Sequence, residues 1–208
     1  MNDKNLIINV GRQLGSGGRS IARLLADEFA CKFYDRELLN LAAKESGFSE
    51  KFFEQNDENK GFLKSRFHIH IPYMPDANFY NDKFSQESLF QFQSDAIRKA
   101  ADAGSCVFVG RCADYVLRDY RNVVNIFITA DTQKRIERIA ERHACDAKTA
   151  ERLVNSIESG RSSYYNYYTG KRWGFSDSYD LCINSSLLGI KETARYLADF
   201  IRKRMQRQ

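Results

Sequence analysis

Residues 6–20 read LIINVGRQLGSGGRS, and this stretch decides the fold. Leu6, Ile7, Ile8, Asn9 and Val10 form a short apolar run that reads as a strand. Gly11 to Ser20 follow as a glycine-rich turn, and beyond it Ile21, Leu24, Leu25 and Phe29 recur at helical spacing, which predicts a helix over about 19–29. Glycines at 15, 17 and 18 permit positive φ and let consecutive backbone N–H groups approach an anion. The helix N terminus adds its partial positive charge, so phosphate is the natural guest. Against the pattern G-x-x-x-x-G-K-[ST], Gly18-Arg19-Ser20 puts Arg where Lys is expected, and Gln13 stands where the first Gly belongs. Arg19 and Ser20 at the helix entrance are the cation and hydroxyl within reach of phosphate and Mg²⁺.

Working outward, Cys31 to Tyr34 reads as a second strand that ends at Asp35-Arg36, with Asp35 a candidate N-cap for a helix to about Glu45. A carboxylate and a guanidinium at the C-terminal end of a strand stand where open α/β sheets bind ligands. From Ser46 to about Glu87 no period is sustained, and both prolines, Pro72 and Pro75, fall here, as in an inserted subdomain. His68 and His70 within it share one strand face, and with no third ligand nearby they read as surface residues rather than a metal site. A helix resumes near Gln86 and stops at Gly104. Cys106 to Val109 is a buried parallel-sheet strand followed by Gly110-Arg111-Cys112-Ala113-Asp114, and Arg111 at its C-terminal edge is the residue most suited to an anion.

Val123 to Ile128 is the next strand, with an Arg-rich helix from Thr132 behind it. Arg152 and Arg161 lie nine residues apart, two and a half turns on a continuous helix, so they face opposite sides unless Gly160 breaks it. A break there would let both converge, as in a lid over a phosphate site. Asp180 to Asn184 is a fifth strand, with Ser185 or Ser186 capping a last amphipathic helix. Strands alternate with helices throughout, which argues a parallel sheet covered on both faces.

The chain has 208 residues, 43% hydrophobic, enough for one α/β domain with insertions. Its net charge of +5, from 32 Lys and Arg against 27 Asp and Glu, is a mild excess. Arg202, Lys203, Arg204 and Arg207 suit the negative end of a terminal helix, so a nucleic-acid partner is not expected. Five cysteines without a C-x-x-C pair fit a reduced, intracellular protein. No apolar run approaches the roughly 20 residues of a membrane helix, and the N-terminal run is too short for a signal peptide, so a cytoplasmic location is expected.

Five stretches, GRQLGSGGRSIA (11–22), FYDRELL (33–39), VFVGRCADYVL (107–117), IESGRSSYYNYYTG (157–170) and YDLCINSS (179–186), together resemble the cytidylate kinase-like proteins. These are relatives of bacterial cytidylate kinase among the P-loop nucleoside monophosphate kinases. The resemblance implies an α/β P-loop NTPase fold over 1–208: a five-stranded parallel sheet flanked by helices, a helical acceptor-binding insertion at about 46–104 and a lid at about 142–174. It implies phosphoryl transfer from ATP, with Mg²⁺, to a nucleoside monophosphate, CMP or dCMP foremost. Carried over by position, Gly15, Ser16, Gly17, Gly18, Arg19 and Ser20 would hold the ATP phosphates, with Ser20 on Mg²⁺. Arg36 and Arg111 would hold the acceptor phosphate, Asp35 and Asp114 its sugar or base, and Arg19, Arg152 and Arg161 would serve catalysis. Val109 ends its strand without an acidic residue, so no protein carboxylate is named for Mg²⁺. Three alternatives stay open: a kinase for another small acceptor, a nucleotide sensor without turnover, and an RNA-binding protein that uses Tyr164, Tyr165, Tyr167 and Tyr168 as stacking platforms.

Overall fold

The computed structural model describes residues 5–35 and 83–207. Arg36, the His68 and His70 pair, both prolines and most of the 46–104 insertion lie outside the described residues. Five strands, β1 (Ile7–Arg12), β2 (Lys32–Tyr34), β3 (Cys106–Val109), β4 (Val123–Thr129) and β5 (Leu181–Asn184), form one sheet in the order β2-β3-β1-β4-β5. Every pairing is parallel, with Ile7 opposite both Cys106 and Val123, and Ile126 opposite Leu181.

Side-chain alternation along β1 explains why helices cover both faces. Ile8 and Val10 join Val107, Val109, Ile126 and Ile128 on one face, under Ile21 and Leu25 of α1 (Gly18–Glu28). Leu197 and Ile201 of α6 (Ser185–Met205) complete that cluster. Ile7 joins Cys106 and Phe108 on the other face, under Ile97 of α2 (Lys83–Ala103) and Val116 of the short α3 (Ala113–Val116). Outside this sandwich, α4 (Thr132–His143) packs on α5 (Ala147–Thr169) through Ile136, Ile139, Ala150 and Val154.

Three local expectations are corrected. Helix α5 runs unbroken through Gly160, because its core contacts at Val154, Ile157 and Tyr165 keep one face buried on both sides of that glycine. Arg152 and Arg161 therefore do not converge, and Arg152 is exposed to solvent away from the site. The cap of α6 is Asn184, whose side chain accepts the Ser186 N–H at 2.9 Å, and the helix is interrupted at Gly189 (φ 75°). Cys182 lies on edge strand β5 and is exposed.

Candidate active site

The glycine-rich loop joins β1 to α1, with Gly15 at φ 76° and Gly17 at φ 75°. Gly17 is the N-cap of α1 and offers no side chain to the first helical N–H groups, of which Ser16 takes that of Gly18. Ser16 is fully buried and braces the turn: its hydroxyl donates to the Gln13 carbonyl at 2.8 Å and accepts the Gly18 N–H at 3.3 Å. The Ser185 hydroxyl donates to the Ser16 carbonyl at 2.6 Å, and Arg138 donates to the Gly15 carbonyl at 3.0 Å. Two loop carbonyls are thus held by α6 and α4.

Arg19 does not do what the sequence motif suggests. Its Nε and Nη2 donate to Asp35 Oδ2 at 3.0 and 2.6 Å, and its side chain is 65% exposed. Its side chain runs from α1 to Asp35 at the end of β2. Asp35, buried at 7% exposure, is correspondingly engaged by Arg19. Ser20, next along α1, is solvent-exposed.

The cations that do converge stand one strand further in. A cleft open to solvent lies at the C-terminal edge of the sheet and is lined by Arg12, Arg111, Asp114, Arg161 and Trp173. On its floor Asn9 donates to Asn125 Oδ1 at 2.8 Å across register partners of β1 and β4. Arg12 ends β1. Arg111 follows β3 in a turn whose three successive residues, Gly110, Arg111 and Cys112, have φ of 75°, 60° and 55°. Left-handed backbone at two non-glycine residues costs on the order of 1–3 kcal/mol each and persists where the surroundings over-determine it, as ligand sites commonly do. Arg161 reaches in from α5 and donates to the Arg12 carbonyl at 3.0 Å.

Carboxylates frame these cations. Glu158 Oε2 pairs with Arg135 at 3.1 Å, and its Oε1 lies 3.7 Å from Arg161. Burial pushes the Glu158 carboxyl above its usual range, against the pull of these guanidinium groups. Asp114 accepts the Tyr165 hydroxyl at 2.6 Å and is likewise raised by burial. Tyr164 packs its ring under the Arg111 guanidinium, 5.1 Å from the ring centre, and Phe90 stacks on Tyr168 at 4.0 Å. The tyrosines offered as RNA platforms are thus largely spent on packing α5 against α2 and the site; Tyr167 alone of the four stays 64% exposed.

Of the sequence candidates, the structure brings Gly15, Ser16, Gly17 and Gly18 into one braced loop and Arg111, Asp114 and Arg161 into one cleft. It leaves Arg19 with Asp35 and Arg152 in solvent, and Arg36 lies outside the described residues. Sequence reasoning missed Arg12 and the link from Glu158 to the loop. Arg12 sits inside the quoted loop at a position the motif leaves unread, whereas nothing in the sequence ties Glu158 to residue 14.

Comparison with known proteins agrees with this architecture. A cytidylate kinase of Methanopyrus kandleri is 23% identical over 212 residues, covering 98% of this chain and 97% of that one. The crystal structure of an uncharacterized protein from Eubacterium ventriosum ATCC 27560 superposes with a TM-score of 0.72 at 27% identity, covering 95% of this chain and 98% of that one. A shikimate kinase from Bacteroides thetaiotaomicron shares the fold at a TM-score of 0.53 and 11% identity, over 95% of this chain and 98% of that one. Residues 7–187 match the family model described as the cytidylate kinase-like family, and with most of its length inside that match the chain belongs to the cytidylate kinase-like family.

Proposed function

We propose that the protein transfers a phosphoryl group from ATP to a nucleoside monophosphate, with CMP or dCMP the foremost acceptor. The coarse class, a nucleotide kinase, follows from the family and the fold. One observation carries the reading further: Arg12, at the start of the chain turn that opens α1, shares a cleft at the C-terminal edge of a parallel sheet with Arg111 and Arg161. Three guanidinium groups there match the charge of phosphates held in line.

In this reading the loop from Gly15 to Ser20 and the N-terminal end of α1 hold the donor phosphates, through the backbone N–H groups not already bonded within the turn. Bound Mg²⁺ would offset the negative charge of the phosphates. Among the described residues no cluster of three or more His, Cys, Asp or Glu is present. The exposed Ser20 hydroxyl is the protein oxygen that would hold Mg²⁺. Arg111 holds the acceptor phosphate, with Arg36 a further candidate. Asp114 with Tyr165 presents a polar edge to the acceptor's sugar or base, and Arg161 stabilises the charge developing on the transferred group. No general base is required when the nucleophile is already a phosphate dianion.

The reading is tested by ADP release with ATP and Mg²⁺ over a panel of nucleoside monophosphates, with Arg111→Ala as the control. Turnover that selects CMP and is lost in Arg111→Ala is the expected result. A second reading, nucleotide binding without turnover, draws on the outward turn of Arg19 and the absence of a side chain at Gly18. ATP binding with silence across the panel would favour it.

A further inference from the structure

We infer that Arg12 supplies the phosphate-loop cation that the lysine of the motif ordinarily supplies, so that cation and glycine have exchanged places within the loop. The inference rests on the nucleotide-kinase reading and deepens it. The start of α1 sets the register: Gly17 is the N-cap with φ 75°, and Gly18 is the first helical residue. In G-x-x-x-x-G-K the lysine directly follows the second glycine at the helix entrance. With Gly17 as that glycine, the lysine position falls on Gly18, and the first glycine, five residues earlier, falls on Arg12.

The packing shows that the two positions are coupled. A Cβ on Gly18 would lie 2.5 Å from Arg12 Cβ and 3.0 Å from its Cγ. The Arg12 stem therefore occupies the space that a side chain at the lysine position would need. The guanidinium then continues across the cleft to β3, where a Cβ on Gly110 would collide with Arg12 Nη1. Gly18 and Gly110 together form a channel shaped to the length of this one side chain. It ends beside Arg111 and Arg161. Arg19, the other cation of the loop, is directed to Asp35. An ammonium on the helix side is thus replaced by a planar fork from the strand side, able to bridge two phosphate oxygens.

Calorimetric titration of ATP with Mg²⁺ separates this role from a merely structural one. Arg12→Met keeps the apolar stem in its channel and removes the charge; it should bind ATP about 10- to 100-fold more weakly, the loss of a hydrogen bond to a charged group. The double exchange Arg12→Gly with Gly18→Lys should regain most of that loss, whereas Arg12→Gly alone should not. Thermal unfolding of each variant identifies any that fails to fold. ATP binding by Arg12→Met equal to the wild type would overturn the assignment. So would a folded double variant that regains nothing, because the cation would then not be exchangeable with the lysine position. A wild-type protein that takes up no ATP would instead remove the nucleotide-kinase reading and this assignment with it.

Discussion

Glu158 on α5 accepts the backbone N–H of Leu14, in the middle of the glycine-rich loop, at 2.7 Å. The same carboxylate meets Arg135 of α4, so one side chain joins loop, α4 and α5. The pair is well buried, with side-chain exposures of 16% for Glu158 and 9% for Arg135. Glu158→Ala would leave Arg135 as an uncompensated buried cation, which costs about 3–5 kcal/mol. In a protein of this size that lowers the melting temperature by roughly 6–20 °C. Differential scanning calorimetry checks it, and a melting temperature within a degree or two of the wild type would show that the bridge holds nothing together.

Two glycines of similar backbone should respond very differently to alanine. Gly15 and Gly170 have φ of 76° and 66°, so each substitution carries the left-handed penalty of about 1–2 kcal/mol. A Cβ on Gly15 would also lie 2.6 Å from the Arg135 carbonyl oxygen, while one on Gly170 meets nothing within 4 Å. Gly170→Ala should fold with a modest loss of stability. Gly15→Ala should displace the loop from α4 and lose far more, as read by denaturant midpoints of the two variants.

Arg161 is expected to act on the transferred group rather than on the resting donor. If the chain is the kinase proposed, Arg161→Ala should lower kcat by about 10³- to 10⁵-fold and leave the Kd for ATP nearly unchanged. Paired turnover and calorimetric measurements check this; a KM effect with intact kcat would place Arg161 in ground-state binding instead.

The raised Asp114 carboxyl makes stability pH-dependent in a definite direction. Folded Asp114 keeps its proton at pH values where the unfolded chain, with its ordinary carboxyl near 3.8, has released it. The native state therefore binds more protons in that window, and the contribution of Asp114 to stability falls as pH rises from about 4 through the folded pKa, then levels. Asp114→Asn removes this dependence. Subtracting its unfolding free energy from that of the wild type at several pH values should give a difference that turns against the wild type as pH rises; a flat difference would show that Asp114 titrates normally.

The sheet was legible because its strands are short apolar runs bounded by glycine or polar residues, and all five appear within a residue or two of their expected limits. Gly160 misled because glycine is only a weak helix breaker, and the apolar face from Val154 to Tyr165 outweighs a cost of about 1 kcal/mol. Arg111 was legible from its place after a buried strand. The pairing of Arg19 with Asp35 was not legible because it depends on where the helix begins, one residue earlier than the pattern suggested, and on Asp35 at the end of another strand. The pairing of Glu158 with Arg161 follows from their spacing on one helix, but its link to the loop could not be found, since its partner Leu14 offers a backbone N–H, which sequence does not distinguish from any other.

Trp173, the single tryptophan of the chain, lines the cleft and stands edge-on to Phe127, with ring centres 5.2 Å apart. The molecule therefore carries its own optical reporter at the mouth of its site. Intrinsic fluorescence excited at the indole will follow occupancy of the cleft without a dye, a label or a coupled enzyme, and every variant discussed above retains it.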